Sequence, residues 1–276
     1  MKEDCKCTEC KCNKGMDFYV IPPNSQMELM KEGDRYFCLS QIYLKNEEYR
    51  NFFKARVAEG AWVTLDNGAG DHETVTREQV LDIARELQPS ELIPLDILFD
   101  GESTLENLKW TIREMANDLL LKDIEIFACP QGKDLREWMI VYGTMLNMPE
   151  VKTIGMSKLA IPWVMSGVKF GDVGIAKDRN KLFEFLKRGN LLRKPLHFLG
   201  AGEAWEFEMY KGEEFVRSTD SCFTVWSGMN NQKFGTDEFE RIPTPHDYFD
   251  RVMTEEQLQL ALHNIQYMKS VTKPKS

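Results

Sequence analysis

Residues 61–96, AWVTLDNGAGDHETVTREQVLDIARELQPSELIPLD, run from one short apolar segment through an amphipathic segment to a second apolar one. AWVTLD (61–66) has strand length and ends in an aspartate followed by the turn-forming pair Asn67-Gly68. Thr76 to Leu87 places Val80, Leu81, Ala84 and Leu87 on one helical face, with Thr76 positioned as its cap. LIPLD (92–96) then reads as the next strand. Strand, helix and strand in this order predict parallel strands covered by the connecting helix.

The pattern extends in both directions. Candidate strands precede it at DFYVI (17–21) and YFCLS (36–40). Others follow at IEIFACP (124–130), VKTIGM (151–156), LHFLG (196–200) and FVRSTD (215–220). Helical spacing recurs over Thr104–Leu121 (Leu105, Leu108, Ile112, Met115, Leu119) and Lys133–Leu146 (Leu135, Trp138, Met139, Tyr142). Shorter helices are expected at Arg179–Leu186 and Glu203–Tyr210, and a final one at Thr254–Met268. About eight strands in 276 residues predict an α/β fold, a single-domain (β/α)8 TIM-type barrel. A doubly wound open sheet is the alternative, since periodicity does not establish closure. The expected layout is a Cys-rich segment over 1–16, the barrel over 17–270 and a frayed tail over 271–276.

The 42% hydrophobic content suits a buried core, and no apolar run approaches the ~18 residues that span a bilayer. The charged amino terminus lacks a signal-peptide apolar region, so a cytoplasmic protein without membrane contact is expected. A net charge of −9 opposes nonspecific binding to phosphates. Against that balance, Lys177, Arg179, Lys181, Lys187, Arg188, Arg193 and Lys194 face only Asp178 and Glu184 in their segment. Two readings stand: a solvated helix face, or a patch that tracks nucleic-acid phosphates. Cys5, Cys7, Cys10 and Cys12 form C-x-C-x-x-C-x-C, which reads either as a structural zinc site or as an unmetallated tail. Cys38 or a distant histidine is an alternative fourth ligand to Cys12.

Barrel enzymes build their sites at the carboxyl ends of strands. Those positions hold Asp66, Asp96, Gln131, Gly155, Gly200 and Asp220, most beside a glycine. A lone aspartate after a strand is ordinarily a cap or turn former. Six polar or glycine-bearing strand ends point instead to one shared pocket. None of the four histidines has metal-ligand spacing, and no G-x-S-x-G elbow or Walker loop occurs. His197, inside a strand, reads as a core histidine. Paired carboxylates without a cofactor suit substitution at a sugar anomeric carbon.

Over about residues 60–225 these elements resemble the tRNA-guanine transglycosylase superfamily. LDNGAG resembles its D-S/N-G-A/G element, CPQGK its QG element, KTIGM its IGG-type strand end, HFLGAG its Y-L-M-G-V-G stretch and RSTDS its nucleophile segment. The compact branch acting on DNA, the DNA 7-deazaguanine transglycosylases of phages and genomic modification clusters, is the nearest likeness. The resemblance implies exchange of guanine in DNA for a 7-deazaguanine base such as preQ0, with tRNA as the alternative substrate. It implies Asp220 as nucleophile, Asp66 as general acid/base, and Asp96 with Gln131 as readers of the purine edge, with Gly132 among the substrate-binding residues. Gly68, Gly155, Met156 and Gly200 would complete the base pocket, and Asp100 is the alternative reader to Asp96. Catalysis would need no cofactor. The family often dimerises, so a homodimer is among its implications. The family's C-x-C-x-x-C zinc element lies near the carboxyl end, whereas Cys5, Cys7 and Cys10 lie at the amino end. The segment after the nucleophile, SCFTVWSG, also departs from the family.

Overall fold

In the computed structural model, which describes residues 15–69, 75–168, 174–236 and 242–273, the segments around residue 66 form a parallel β/α barrel. Its strands are β1 (Asp17–Val20), β2 (Tyr36–Leu39), β3 (Val63–Asp66) and β4 (Glu91–Leu92), then β5 (Glu125–Ala128), β6 (Val151–Ser157), β7 (Leu196–Leu199) and β8 (Val216–Ser221). The first helices are α1 (Ser40–Lys45), α2 (Glu47–Ala58), α3 (Arg77–Leu87), α4 (Gly101–Ala116) and α5 (Leu135–Asn147). They are followed by α6 (Ala160–Ser166), α7 (Ile175–Arg188), α8 (Ala204–Met209), α9 (Phe223–Met229) and α10 (Glu255–Thr272).

All eight expected strands form, and every pairing is parallel in the order β1-β8-β7-β6-β5-β4-β3-β2. Pairing of β1 with β8 excludes the doubly wound alternative, which would leave the first and last strands apart. The seam between β1 and β2 carries a single parallel bridge, Tyr19 to Arg35, so the barrel is nearly closed. No helix among the described residues is long and apolar enough to cross a membrane.

Local chemistry sets where elements start and stop. Thr76 caps α3 in a reciprocal capping box with Gln79, as its position predicted. Strand β4 has only two residues: Pro94 has no N–H to extend the ladder, and its carbonyl accepts from Asn67 Nδ2 at 2.8 Å instead. Helix α4 starts three residues earlier than expected because Asp100 accepts from Ser103 N at 3.0 Å as its cap. It ends before Leu119, which the spacing had placed on its inner face and which is 82% exposed. There Asp118 Oδ1 accepts from Leu120 N at 2.9 Å and holds a turn. The expected 271–276 tail also needs correction. Helix α10 continues to Thr272, Val271 and Thr272 are buried, and Met16 N donates to Thr272 O at 2.8 Å.

Two register shifts re-aim side chains inside the barrel. Leu196 pairs with Val216 but His197 pairs with Ser218, which leaves Arg217 as an extra residue in β8. That bulge lets the Arg217 guanidinium cross the interior while Ser218 and Asp220, two residues apart, share one face. The second shift lies between β5 and β6.

Candidate active site

A pocket of about 160 Å³ opens at the carboxyl ends of the strands, and every strand contributes to it. Ile21 follows β1, Leu39 ends β2, Asp66 ends β3 and Asp96 follows β4; Gln131, Ser157, Gly200 and Asp220 come from β5 to β8. Asp66, Asp96, Gln131, Gly200 and Asp220, five of the residues expected from strand ends, therefore line one cavity. Asn67, Cys129 and Lys158 join them.

Asp66 is held by a tight turn. Gly68 N donates to Asp66 Oδ2 at 3.0 Å, and Gly68 has φ +73°, a conformation that glycine adopts without steric cost. Gly68 thus shapes the turn while Asp66, Asn67 and Ala69 line the pocket. Ser40 Oγ donates to the Asp66 carbonyl.

Asp96 is buried between two amides. Asn67 Nδ2 donates to Oδ1 at 2.6 Å, and Gln131 Nε2 donates to Oδ2. Gln131 Oε1 accepts from Phe99 N at 3.3 Å, which fixes which end of the amide faces Asp96. Burial pushes the Asp96 carboxyl above its ordinary range, and the two amide donors only partly oppose it. Asp100, unlike Asp96, does not line the pocket; it caps α4.

Asp220 is gripped from two sides on one oxygen. Its Oδ1 accepts from Gly200 N and lies against His197 Nε2, both at 2.9 Å. Gly200 adopts φ +67°, and a Cβ there would collide with the Lys158 side chain that passes over it. His197 Nδ1 meets Ser218 Oγ at 2.8 Å. Burial pushes the imidazole below its ordinary range against the opposing pull of Asp220. His197 is the site residue that the sequence reading missed. Its buried strand position is that of a core histidine, and only the register of β7 against β8 brings it to Asp220.

Several expected residues take other positions. A Cβ on Gly155 would lie 2.5 Å from Cys129 Sγ and 2.9 Å from Phe127 Cε2, so Gly155 is a packing position below the pocket. Strand alternation turns Met156 to the opposite face from Gly155 and Ser157, and it is fully buried outside the pocket lining. It cannot serve as the pocket wall; Ser157, Lys158 and Leu159 occupy that place. Gly132 also packs rather than lines, since a Cβ there would lie 2.5 Å from the Trp138 backbone N in α5.

The basic segment does not form one face at the pocket. Arg179 is fully buried, paired with Glu206 at 2.6 Å, and donates to the Leu199 carbonyl at 2.7 Å and the Gly200 carbonyl at 3.3 Å. It clamps the loop that carries Gly200 and cannot touch phosphates. Lys177 and Lys181 are exposed near the start of α7, with Lys181 paired to Asp178 at 3.3 Å. Helix α7 runs back from the end of β6 to the start of β7, so Lys187, Arg188, Arg193 and Lys194 lie at the opposite end of the barrel. There Lys187 pairs with Glu213 at 2.5 Å, and Lys194 donates to the Met148 and Val151 carbonyls.

Cys5, Cys7, Cys10 and Cys12 lie outside the described residues. Cys38, offered as an alternative ligand, is buried in β2, where desolvation raises its thiol well above its ordinary range. Among the described residues, no group of three or more His, Cys, Asp or Glu is placed to hold a metal ion.

No protein-family model matches the chain, and no curated protein matches it.

Proposed function

We propose that this barrel is a transglycosylase that exchanges guanine in DNA for a 7-deazaguanine base such as preQ0. The observation that carries this reading is the meeting of Asp66, Asp96 and Asp220, from three different strand ends, around one pocket with Gln131. In this reading Asp220 attacks C1′, the glycosidic bond breaks with its electron pair leaving on the base, and Asp66 gives the departing base a proton. The incoming base loses its own N–H proton to the now ionised Asp66 as that nitrogen bonds to C1′ and displaces Asp220. Asp96 accepts from the paired N–H donors of a guanine-like edge, a task for which its two amide neighbours hold it in place. Lys158, at the pocket lining, supplies positive charge for a phosphate flanking the extruded nucleotide. No cofactor enters these steps.

The test is incubation with guanine-containing DNA and labelled preQ0, followed by nucleoside mass spectrometry. Incorporation into DNA is expected, together with a covalent protein–DNA adduct that survives denaturation and is absent from Asp220→Asn. Incorporation into tRNA alone would move the substrate from DNA to RNA. Folded wild-type protein with neither incorporation nor adduct would favour a barrel that binds nucleic acid without catalysis.

A further inference from the structure

The contacts behind Asp220 deepen the proposed reading and rest on Asp220 being its nucleophile. Among the described residues, both contacts on this carboxylate fall on Oδ1, from Gly200 N–H and His197 Nε2. An ionised carboxylate only accepts, so Nε2 must carry a proton. On the far side of the ring, Ser218 Oγ lies 2.8 Å from Nδ1 and 3.1 Å from Arg217 Nε. A guanidinium only donates, so Ser218 accepts from Arg217 and its own hydrogen is free to point at Nδ1. Arg217 is oriented in turn by two bonds to Glu91, at 2.8 and 2.7 Å. The Asp220 end of the ring therefore requires Nε2–H, and the Ser218 hydroxyl, with its hydrogen free, fits a lone pair on Nδ1.

The surroundings also hold the ring without charge. Tyr19, Phe37 and Phe127 enclose it at centroid distances of 5.3, 5.8 and 5.1 Å. The charged and titratable groups around it are Asp220, Arg217, Glu91 and Tyr19. Asp220 and Glu91 favour an imidazolium, while Arg217 and full burial oppose it, and burial dominates. We propose that His197 is a positioning residue: a neutral, single-tautomer imidazole that pins Asp220 Oδ1 and leaves Oδ2 as the oxygen presented to the substrate. When Oδ2 bonds to C1′ and the base departs with the glycosidic electron pair, Oδ1 becomes the ester carbonyl and still accepts the Nε2–H bond. No proton moves at His197.

Nitrogen NMR of the ¹⁵N-imidazole-labelled full chain tests this without substrate. The chain has only four histidines, and His197→Gln identifies the signal. The expected result is an unchanged Nε2–H tautomer from about pH 5.5 to about pH 8. An Nδ1–H tautomer or an imidazolium in that range overturns the proposal. In adduct formation, His197→Gln, which keeps a donor toward Asp220, should stay within about tenfold of wild type. His197→Leu should lose about 100-fold in rate with KM little changed. Ser218→Ala, a smaller change for folding, should mix the tautomers and slow the adduct about tenfold. Wild-type rates in both His197→Leu and Ser218→Ala overturn the proposal. The expected tautomer in a wild type that forms no adduct supports the pinned geometry and overturns the transglycosylase reading instead.

Discussion

The two ends of the barrel interior use the same side chains to opposite effect. Toward the amino ends of the strands, Glu91 is wholly buried and bound twice by Arg217, while Thr64 Oγ1 donates to it at 2.6 Å and Thr153 Oγ1 accepts from Arg217 at 2.8 Å. Burial by itself would raise the Glu91 carboxyl, but the bonds and charge of Arg217 outweigh it and hold the group below its ordinary range. Toward the carboxyl ends, Asp66, Asp96 and Asp220 line an open pocket, and their described hydrogen bonds come from amides, backbone N–H groups and an imidazole. Burial, which Glu91 overcomes, prevails at Asp96 and raises it. A carboxylate opposite a fixed cation is structural; Asp96 and Asp220, whose described side-chain donors carry no fixed charge, stay open to a substrate.

The sharpest way to break this comparison is to exchange roles. Arg217→Met should strand Glu91 as a buried, unpaired charge and cost about 3–5 kcal/mol, read by denaturant unfolding. Asp220→Asn should abolish the adduct yet change stability by less than about 1 kcal/mol. If Asp220→Asn proves the more destabilising of the two, the division into structural and available carboxylates fails.

Next in size is the pocket floor. Gly155→Ala places a methyl against Cys129 and Phe127 and should cost about 1–3 kcal/mol by thermal melting. A neutral outcome would mean that the interior beneath the site is loosely packed.

The pH dependence should carry opposite signs at the two ends. Glu91 is depressed, so its contribution is full above its unfolded value of about 4.3 and is lost as pH falls through the folded value. Asp96 is raised, so its contribution is full below its unfolded value of about 3.9 and is lost as pH rises through the folded value. Measured against pH, the stability of Glu91→Gln should therefore fall less than wild type on acidification. Asp96→Asn should lose less stability than wild type as pH rises above about 4.

The smallest effects belong to the exposed cations. Lys187→Ala removes an exposed pair and should change stability by about 0.5 kcal/mol or less. With Arg188→Ala and Arg193→Ala, it should leave oligonucleotide affinity unchanged, because these residues lie at the end away from the pocket. Lys158→Ala should weaken affinity and lower its salt dependence by about one phosphate contact.

Much of the frame was legible because it rests on local rules. Short apolar runs marked all eight strands, four of them ending in Asp or Gly; Thr76 caps its helix as expected, and the last helix starts at the expected Thr254, which the structure shows to be its cap. The strand-end rule likewise placed Asp66, Asp96, Gln131, Gly200 and Asp220 around one pocket. Local pattern misled where neighbours in sequence part company in space. Arg179 reads as one of a run of surface cations, yet helical phase turns it inward to Glu206 while Lys177 and Lys181 stay outside. Met156 reads as pocket wall beside Gly155, yet the two-residue alternation of a strand sends it to the other face.

The sequence by itself thus determined the alternation of elements, their caps and the acidic residues at strand ends, since each depends on residues within a few positions. Closure of the barrel, the bulge that frees Arg217 to reach Glu91, and the pairing of His197 with Asp220 were decided only by tertiary structure. Those features join residues as far as 201 positions apart (Asp17 pairs with Ser218) through register, and a shift of one residue along β8 would turn Asp220 away from the pocket.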